Sequence, residues 1–309
     1  MIDTILQIIF GGLGNGAIYA LIAFGYSLTY LTTQTLNFAQ GDFVMIGAMI
    51  GITLAENWSN DSGILLPTHR LLWPLFVAYI VAVLVVAVLG VAVERLIMRP
   101  FSAGLSVSWI MSTVALGIIL RNLAETLWGH EAMILSPAVD GQVKIGDNNI
   151  YWQQILNITV AVAITGLLFL FFQRTRLGKS VKAVAFNAQA ASLMGINVNF
   201  IKMLTFAMSG GLAGLAGLLV TPAGGLNGMD SGRGLSISIT AFAVAIVGGL
   251  DNIVGIGVAA ILFGLLGQII SSINSTFQDL QQAILFVLLI LALAFKPTGL
   301  FGRQLVQKV

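Results

Sequence analysis

The amino-acid sequence predicts an all-α polytopic membrane protein, a bundle of eight or nine transmembrane helices in a single domain over residues 1–309. Hydrophobic residues make up 58% of the chain and charged residues only 8%. A water-soluble domain carries about 25% charged residues, so the surface of this chain is suited to lipid. Its apolar runs approach the ~20 residues that a helix needs to cross a bilayer, and they lack the alternation of barrel strands.

Nine apolar runs follow one another, and each predicts one spanning helix. The predicted spans cover residues 4–31, 43–54, 71–93, 105–120, 155–172, 201–220, 235–249, 253–272 and 280–295. The second is short unless its helix begins near Leu36, after a cytoplasmic turn. The alternative is a discontinuous helix with residues 37–42 inside the membrane, where its free backbone groups need protein or a cavity around them. The sequence leaves both arrangements open.

Two local patterns add detail to this plan. Val143, Ile145 and Ile150 alternate around a Gly-Asp-Asn turn, which predicts a small β-hairpin between the fourth and fifth spans. In the sixth span, Gly210, Gly214 and Gly217 lie on nearly one face. Small residues at this spacing are typical of close packing between membrane helices.

The distribution of lysine and arginine predicts the orientation, because short cytoplasmic loops are enriched in both. The loop with Arg95 and Arg99, the basic segment at residues 174–200 and the tail from Lys296 are predicted to be cytoplasmic. The loops at residues 56–70 and 121–154 are poor in basic residues and are predicted to be outside. Nine spans alternate without contradiction. We therefore expect a multi-pass membrane protein whose first span is not a cleaved signal peptide.

Residues 37–51 and 251–265 share a weak similarity, since each has a polar turn, a glycine at the fifth position and then a helix rich in small residues. Paired breaks in the two halves of a transporter point to a central substrate path. Chance similarity between glycine-rich membrane helices is the alternative.

The segment at residues 174–200 is the longest polar interruption and joins two membrane-embedded halves. Four of the fourteen basic residues occupy its first nine positions: Arg174, Arg176, Lys179 and Lys182. A helix is predicted over residues 179–194, ending at Gly195. Its stripe of small apolar residues comprises Val181, Val184, Ala185, Ala188 and Ala191. Such a stripe favours docking on a protein partner, whereas a helix that lies on anionic lipid usually has bulkier side chains.

Other charged residues are expected to be structural. Glu94 and Arg95, at the end of the third span, fit a position at the lipid headgroups or a pair between helices. Arg121 and Glu125 have the spacing of an ion pair within one helix, at its outer end. His69 and His130 lie in separate outer loops, so no metal site is predicted.

The sequence QAASLMG, residues 189–195, resembles the EAA-x-x-x-G signature of ABC importer permeases, with Gln189 in place of the glutamate. Five blocks resemble LivH-type permeases of branched-chain or neutral amino-acid ABC importers: AIYALIAFGYSLTY (17–30), LNFAQGDFVMIGA (36–48), ERLIMRP (94–100), RLGKSVKAVAFNAQAASLMGINV (176–198) and KPTGLFGR (296–303). The resemblance covers nearly the whole chain and implies a multi-pass protein of the bacterial plasma (inner) membrane.

The resemblance implies two functional sites. One is the cytoplasmic segment, which would couple the permease to an ATPase through Arg176, Gly178, Lys179, Lys182, Asn187, Gln189, Ala190, Ala191 and Gly195. The other is a broken helix beside the substrate path, matched here by Asn37, Gln40 and Asp42. A charged residue inside a membrane costs about 2.5–3.5 kcal/mol on insertion scales, so a buried Asp42 needs a role. Alternatively, Asp42 lies at the cytoplasmic surface, where an acid suits the first turn of a helix.

The expected function is therefore that of a permease subunit translocating branched-chain or other neutral amino acids. The implied partners are a second, LivM-type permease, two cytoplasmic ABC ATPases, an extracytoplasmic solute-binding protein and membrane lipid. The sequence contains no G-x-x-x-x-G-K-[ST] motif, so ATP hydrolysis is expected in a partner chain and the protein is not expected to be an enzyme. No cofactor is expected, and the scattered basic residues give no reason to expect nucleic-acid binding.

Alternatives remain open at this stage. Within the same class, the substrate could be urea, a short amide or, less in keeping with the resemblance, a sugar. In a different class, the chain could be a secondary transporter or channel. Such proteins usually contain several ionisable residues within the membrane, and this sequence has few.

Overall fold

The computed structural model describes residues 2–58, 72–101, 108–129, 137–139, 141–145, 148–221, 229–230, 232–273, 275–296 and 299. Most of the predicted outer loop at residues 56–70, with His69, lies outside these ranges. His130 and the tail beyond residue 299 lie outside them too.

The described residues form an all-α bundle with one small hairpin. The helices are α1 (Ile2–Thr33), α2 (Gln40–Trp58), α3 (Leu72–Val93), α4 (Arg99–Phe101), α5 (Ser108–Trp128), α6 (Trp152–Arg174), α7 (Arg176–Phe186), α8 (Ala188–Leu193), α9 (Val198–Val220), α10 (Arg233–Gly248), α11 (Ile253–Ile273) and α12 (Ser275–Phe295). A π-helical turn, Glu94–Met98, joins α3 to α4.

Within the ranges given above, six helices are long and apolar enough to span a membrane: α1, α3 with the π-helical turn, α5, α6, α9 and α11. Three shorter apolar helices, α2, α10 and α12, complete the set. Each corresponds to one predicted span, so the prediction of an all-α polytopic membrane protein is confirmed.

Helix α9 lies at the centre of the bundle, where it packs against α1, α2 and α3. The predicted glycine face makes these contacts possible. A β-carbon on Gly210 would meet the carbonyl oxygen of Val86 in α3, and one on Gly217 would meet the carbonyl oxygen of Val44 in α2. Gly214 lies against Gly47 of α2. The backbones of α9, α3 and α2 therefore approach one another closely, as the spacing of the glycines predicted.

The predicted hairpin is also present. Strands β1 (Gln142–Ile145) and β2 (Asn148–Tyr151) pair antiparallel, with Val143 opposite Ile150. Helix α6 begins at the residue that follows β2.

The prediction of one helix over residues 179–194 is wrong, because Asn187 divides it. Asn187 has an extended backbone (φ −159°, ψ 104°), and its side-chain oxygen accepts a hydrogen bond from the amide of Ala190 at 2.9 Å. Asparagine is a favoured N-cap residue, so it ends α7 and starts α8. Gly195 has φ +83° and ends α8 as predicted, since glycine adopts this left-handed conformation without strain.

The expected roles of Glu94 and Arg95 also change. Glu94 is buried, and its Oε2 lies 2.9 Å from Nη2 of Arg99. Positions five residues apart lie on the same face of the π-helical turn, which brings these two together. Arg95 remains exposed.

Candidate functional site

The chain between α1 and α2 forms the first candidate site. Gln34 ends α1 in the left-handed conformation (φ 54°), and the chain reverses before α2 begins at Gln40. The amide nitrogen of the Gln40 side chain donates to the carbonyl oxygen of Ser209, at 3.3 Å. The Ser209 hydroxyl lies 2.9 Å from the carbonyl oxygen of Gly25 and 3.0 Å from Oε1 of Gln40. The start of α2 is thereby fixed to α1 and α9.

These contacts place the break inside the bundle at mid-depth. Ser209 is the twelfth of the 23 residues of α9, so Gln40 lies level with the middle of a spanning helix. Asn37, Gln40 and Asp42 are each at most 1% exposed. The structure thus favours the discontinuous helix over a cytoplasmic turn.

Asn37 lies at the entry to α2. Its Oδ1 accepts a hydrogen bond from the amide of Ala39 at 3.1 Å, which shapes the turn. Its Nδ2 is buried and makes no hydrogen bond within the described part of the chain. A buried donor without a partner is rare and calls for an explanation.

Asp42 forms a buried ion pair that the sequence did not indicate. Its Oδ1 lies 2.9 Å from Nε of Arg121 in α5, and the Arg121 side chain is 27% exposed. We expected Arg121 at an outer helix end beside Glu125, because the predicted span ended at Leu120. The helix continues to Trp128, so Arg121 lies within the membrane-spanning part. One feature of the sequence could have pointed to this pair. Asp42 precedes an apolar run, and a carboxylate inside the membrane needs a cation to compensate its charge.

Aromatic side chains surround the break on the side of the start of α5, which is predicted to be cytoplasmic. Phe38 stacks on Trp109, near the start of α5, with ring centroids 6.3 Å apart and planes at 17°. On its other side, Phe38 lies 6.0 Å from Phe242 of α10. Phe242 in turn makes an edge contact with Tyr26 of α1 at 5.7 Å. This aromatic layer (Tyr26, Phe38, Trp109 and Phe242) joins three helices across the break.

The second predicted break lies close to the first. Gly249 (φ 89°) ends α10, and Asn252 begins α11 by accepting a hydrogen bond from the amide of Gly255 at 3.2 Å. Ser27 of α1 donates to the carbonyl oxygen of Leu250 at 2.7 Å. Since Ser27 is two residues from Gly25, both breaks meet α1 at nearly the same level. This arrangement supports the interpretation of residues 37–51 and 251–265 as paired breaks.

The segment at residues 174–200, which is predicted to be cytoplasmic, forms the second candidate site. The Thr175 hydroxyl caps α7 by accepting a hydrogen bond from the amide of Gly178 at 2.9 Å. Gly178 is buried where a β-carbon would meet the carbonyl oxygen of Phe171. Helix α7 packs against α1, α6 and α9, so the segment rests directly on the bundle.

The stripe of small apolar residues that was predicted to dock on a partner faces the protein's own helices instead. Val181, Val184 and Ala191 are buried, because the small apolar stripe packs on the protein's own helices. The most exposed large apolar residues of the segment are instead Phe186, Leu193 and Met194, at 92%, 84% and 83%. We call these three the apolar tip. The periodicity of apolar residues identified an apolar face on the helix, but it could not show whether that face packs on the bundle or on a partner.

The other predicted coupling residues divide by exposure. Arg176, Lys179, Lys182, Asn187, Gln189, Ala190 and Gly195 are exposed, whereas Gly178 and Ala191 are buried. Lys182 extends back over the ring of Phe172, with Nζ 5.8 Å from the centroid.

Comparison with known proteins identifies the family. Residues 8–293 match the family described as branched-chain amino acid transport system / permease component. The chain belongs to this permease family. It is 32% identical to the high-affinity branched-chain amino acid transport system permease protein BraD of Pseudomonas aeruginosa, over 98% of each chain. It is 28% identical to the corresponding protein LivH of Escherichia coli K12, over 98% of this chain and 97% of that protein.

A similar permease also occurs outside the bacteria. The probable branched-chain amino acid transport permease protein LivH of Methanocaldococcus jannaschii is 28% identical over 96% of this chain and 92% of its own. Among solved structures, PsaBC from Streptococcus pneumoniae in complex with Fab aligns over 94% of the permease at 17% identity, with a TM-score of 0.47. Family membership and six helices of spanning length make the permease a multi-pass protein of the inner membrane. As a permease component, it is one part of a transport system.

Proposed function

We propose that the permease translocates branched-chain or other neutral amino acids as one membrane subunit of a binding-protein-dependent ABC importer. The observation that carries this proposal is similarity along nearly the full length to BraD and LivH, whose names specify branched-chain amino acids. The binding protein supplies most of the substrate selection, and the permease supplies the path.

The working assembly would contain a second, LivM-type permease, two cytoplasmic ABC ATPases and an extracytoplasmic solute-binding protein. The sequence has no G-x-x-x-x-G-K-[ST] motif for nucleotide phosphates. ATP hydrolysis therefore belongs to the ATPases, and the permease itself works as a transport subunit.

The ATPases would act on the segment at residues 174–200, which joins the two halves of the single domain. Its apolar tip offers anchors for a groove on the ATPase, with Gln189, Ala190 and the basic residues around it. Helix α7 packs on α1, and α1 contacts both helix breaks. Movement of the ATPases would thus reach the breaks through one helix, and each conformer would open the path to one side.

The substrate path would run along the first break. A neutral amino acid carries an ammonium and a carboxylate, and Asp42 and Arg121 are a matching pair of charges. The free Nδ2 of Asn37 offers a further donor to the carboxylate. Gln40 holds the start of α2, and the aromatic layer closes the cytoplasmic side. In this resting conformer the charges satisfy each other, so the amino acid would bind only weakly and leave readily.

Uptake by whole cells tests the proposal. In a strain without its own branched-chain systems, the complete transporter is expected to import radiolabelled leucine, isoleucine and valine. Deletion of the permease should abolish this uptake. Normal leucine uptake together with lost uptake of urea or a sugar would overturn the assignment.

A further inference from the structure

A groove in the membrane-facing surface between α3, α6 and α9 lies away from the first candidate site and reaches the start of the second at Arg174 and Thr175. It has a volume of about 660 Å³, and nearly all of its lining is apolar side chain, including Val83, Leu168, Phe171 and Leu215. Leu167 and Leu170 on its rim are more than half exposed. An apolar recess of this kind on a membrane helix bundle is filled by hydrocarbon or by another protein.

The groove spans one leaflet of the bilayer. Along α6 it runs from Ile164 to Arg174, ten residues that rise about 15 Å at ~1.5 Å each. This is half of the ~30 Å hydrocarbon core. Arg174 is at the end of the groove next to the basic segment, on the side that the positive-inside rule makes cytoplasmic.

The polar end of the groove is cationic. Arg174 ends α6, is exposed, and forms no ion pair with any described acidic side chain. Arg176 and Lys179 follow within five residues and are exposed as well. A long basic side chain at the end of a membrane helix places its charge among the lipid headgroups. The charge thus lies where a lipid phosphate would be when an acyl chain occupies the groove.

We propose that this groove is a binding site for an anionic phospholipid of the cytoplasmic leaflet, with an acyl chain between α3, α6 and α9 and the phosphate on Arg174. The unpaired guanidinium distinguishes this occupant from a helix of a second permease, which would need a carboxylate at the same depth. Arginine also suits phosphate better than the compact ammonium group of lysine does, since its planar guanidinium can donate two hydrogen bonds to the phosphate at once.

Lipid retention by the assembled transporter in nanodiscs tests the site. The complex is reconstituted with equal phosphatidylglycerol and phosphatidylethanolamine, released into detergent, and analysed by native mass spectrometry. Arg174→Gln should lower retained phosphatidylglycerol about fivefold, the effect of one basic residue at an anionic surface. Arg95→Gln removes the same charge from an exposed arginine that does not line the groove and should leave retention unchanged.

A second variant tests the apolar part without touching the charge. A β-carbon on Gly211 would lie 3.6 Å from Cγ1 of Val83 and 3.8 Å from Cβ of Ala87, which is ordinary contact, so the helices can accept a side chain there. Gly211→Leu would fill the groove and should reduce retention of both lipids. Equal phosphatidylglycerol retention by the wild type and all three variants would overturn the proposal.

Cross-linking distinguishes the protein alternative. The natural sequence contains no cysteine, so Leu167→Cys introduces a single reactive position at the rim. When this thiol is labelled with a benzophenone maleimide and illuminated, we expect the label to cross-link to phosphatidylglycerol. A cross-link to the second permease in its place would show that protein covers the groove and would overturn the lipid site.

Discussion

The two helix interruptions at the candidate sites are built in different ways. At the first break, the buried Gln40 and Asp42 contact residues more than seventy positions away: Gln40 donates to Ser209, and Asp42 forms an ion pair with Arg121. In the cytoplasmic segment, Thr175 and Asn187 accept hydrogen bonds from amides only three residues away. Water can form hydrogen bonds with the backbone groups that a local cap leaves unpaired, whereas lipid cannot. An interruption inside the membrane therefore depends on the whole bundle, and one in the cytoplasm depends mainly on itself.

This difference predicts the largest effect for Arg121→Gln. The substitution leaves the carboxylate of Asp42 buried without its cation, and breaking a buried pair in this way costs about 3–5 kcal/mol. Asp42→Asn should cost less, because the long Arg121 side chain is 27% exposed and can extend towards the membrane surface. Thermal unfolding of the purified complex measures both.

The double variant is the control. Asp42→Asn combined with Arg121→Gln removes both charges and should recover much of the stability lost by Arg121→Gln alone. It should not recover leucine uptake if the pair also serves the substrate. A double variant as unstable as the sum of the two single variants would show that the residues do not act as a pair.

The same difference between local and long-range contacts explains which features the sequence could predict. Apolar runs gave all nine helices, and local patterns gave the hairpin and the glycine face, because these depend on neighbours in the chain. The Asp42–Arg121 pair was missed, since nothing local relates two residues on α2 and α5. The break at Asn187 was missed although asparagine is a good cap, because the apolar period continued through it. The buried side of α7 depends on which helices surround it, and periodicity does not contain that information.

Gly210→Ala should have an intermediate effect. Its β-carbon would press on the carbonyl oxygen of Val86, and overpacking of this kind costs about 1–3 kcal/mol. Gly211→Ala, on the same helix, is a matched control, since its β-carbon has ordinary contacts with Val83 and Ala87. It should change the free energy of unfolding by no more than about 0.5 kcal/mol. Equal losses for both variants would mean that glycine lowers the cost of bending α9 rather than allowing its close contact with α3.

The smallest effect on stability, and the most specific effect on function, is expected at the apolar tip. Leu193→Ser and Met194→Ser alter exposed side chains that end a self-capped helix, so unfolding should change by no more than about 0.5 kcal/mol. If each residue is an anchor in an ATPase groove, however, its loss removes about 1.5–3 kcal/mol of burial, which weakens association about tenfold or more. Co-purification and ATPase stimulation measure this, with Ser192→Ala, an exposed neighbour, as the control.

Full ATPase binding by both variants would mean that the tip is not the contact, and the exposed basic residues of α7 would then have to carry it. Loss of binding with unchanged unfolding would show that the segment is stable on the bundle by itself and is exposed there for its partner.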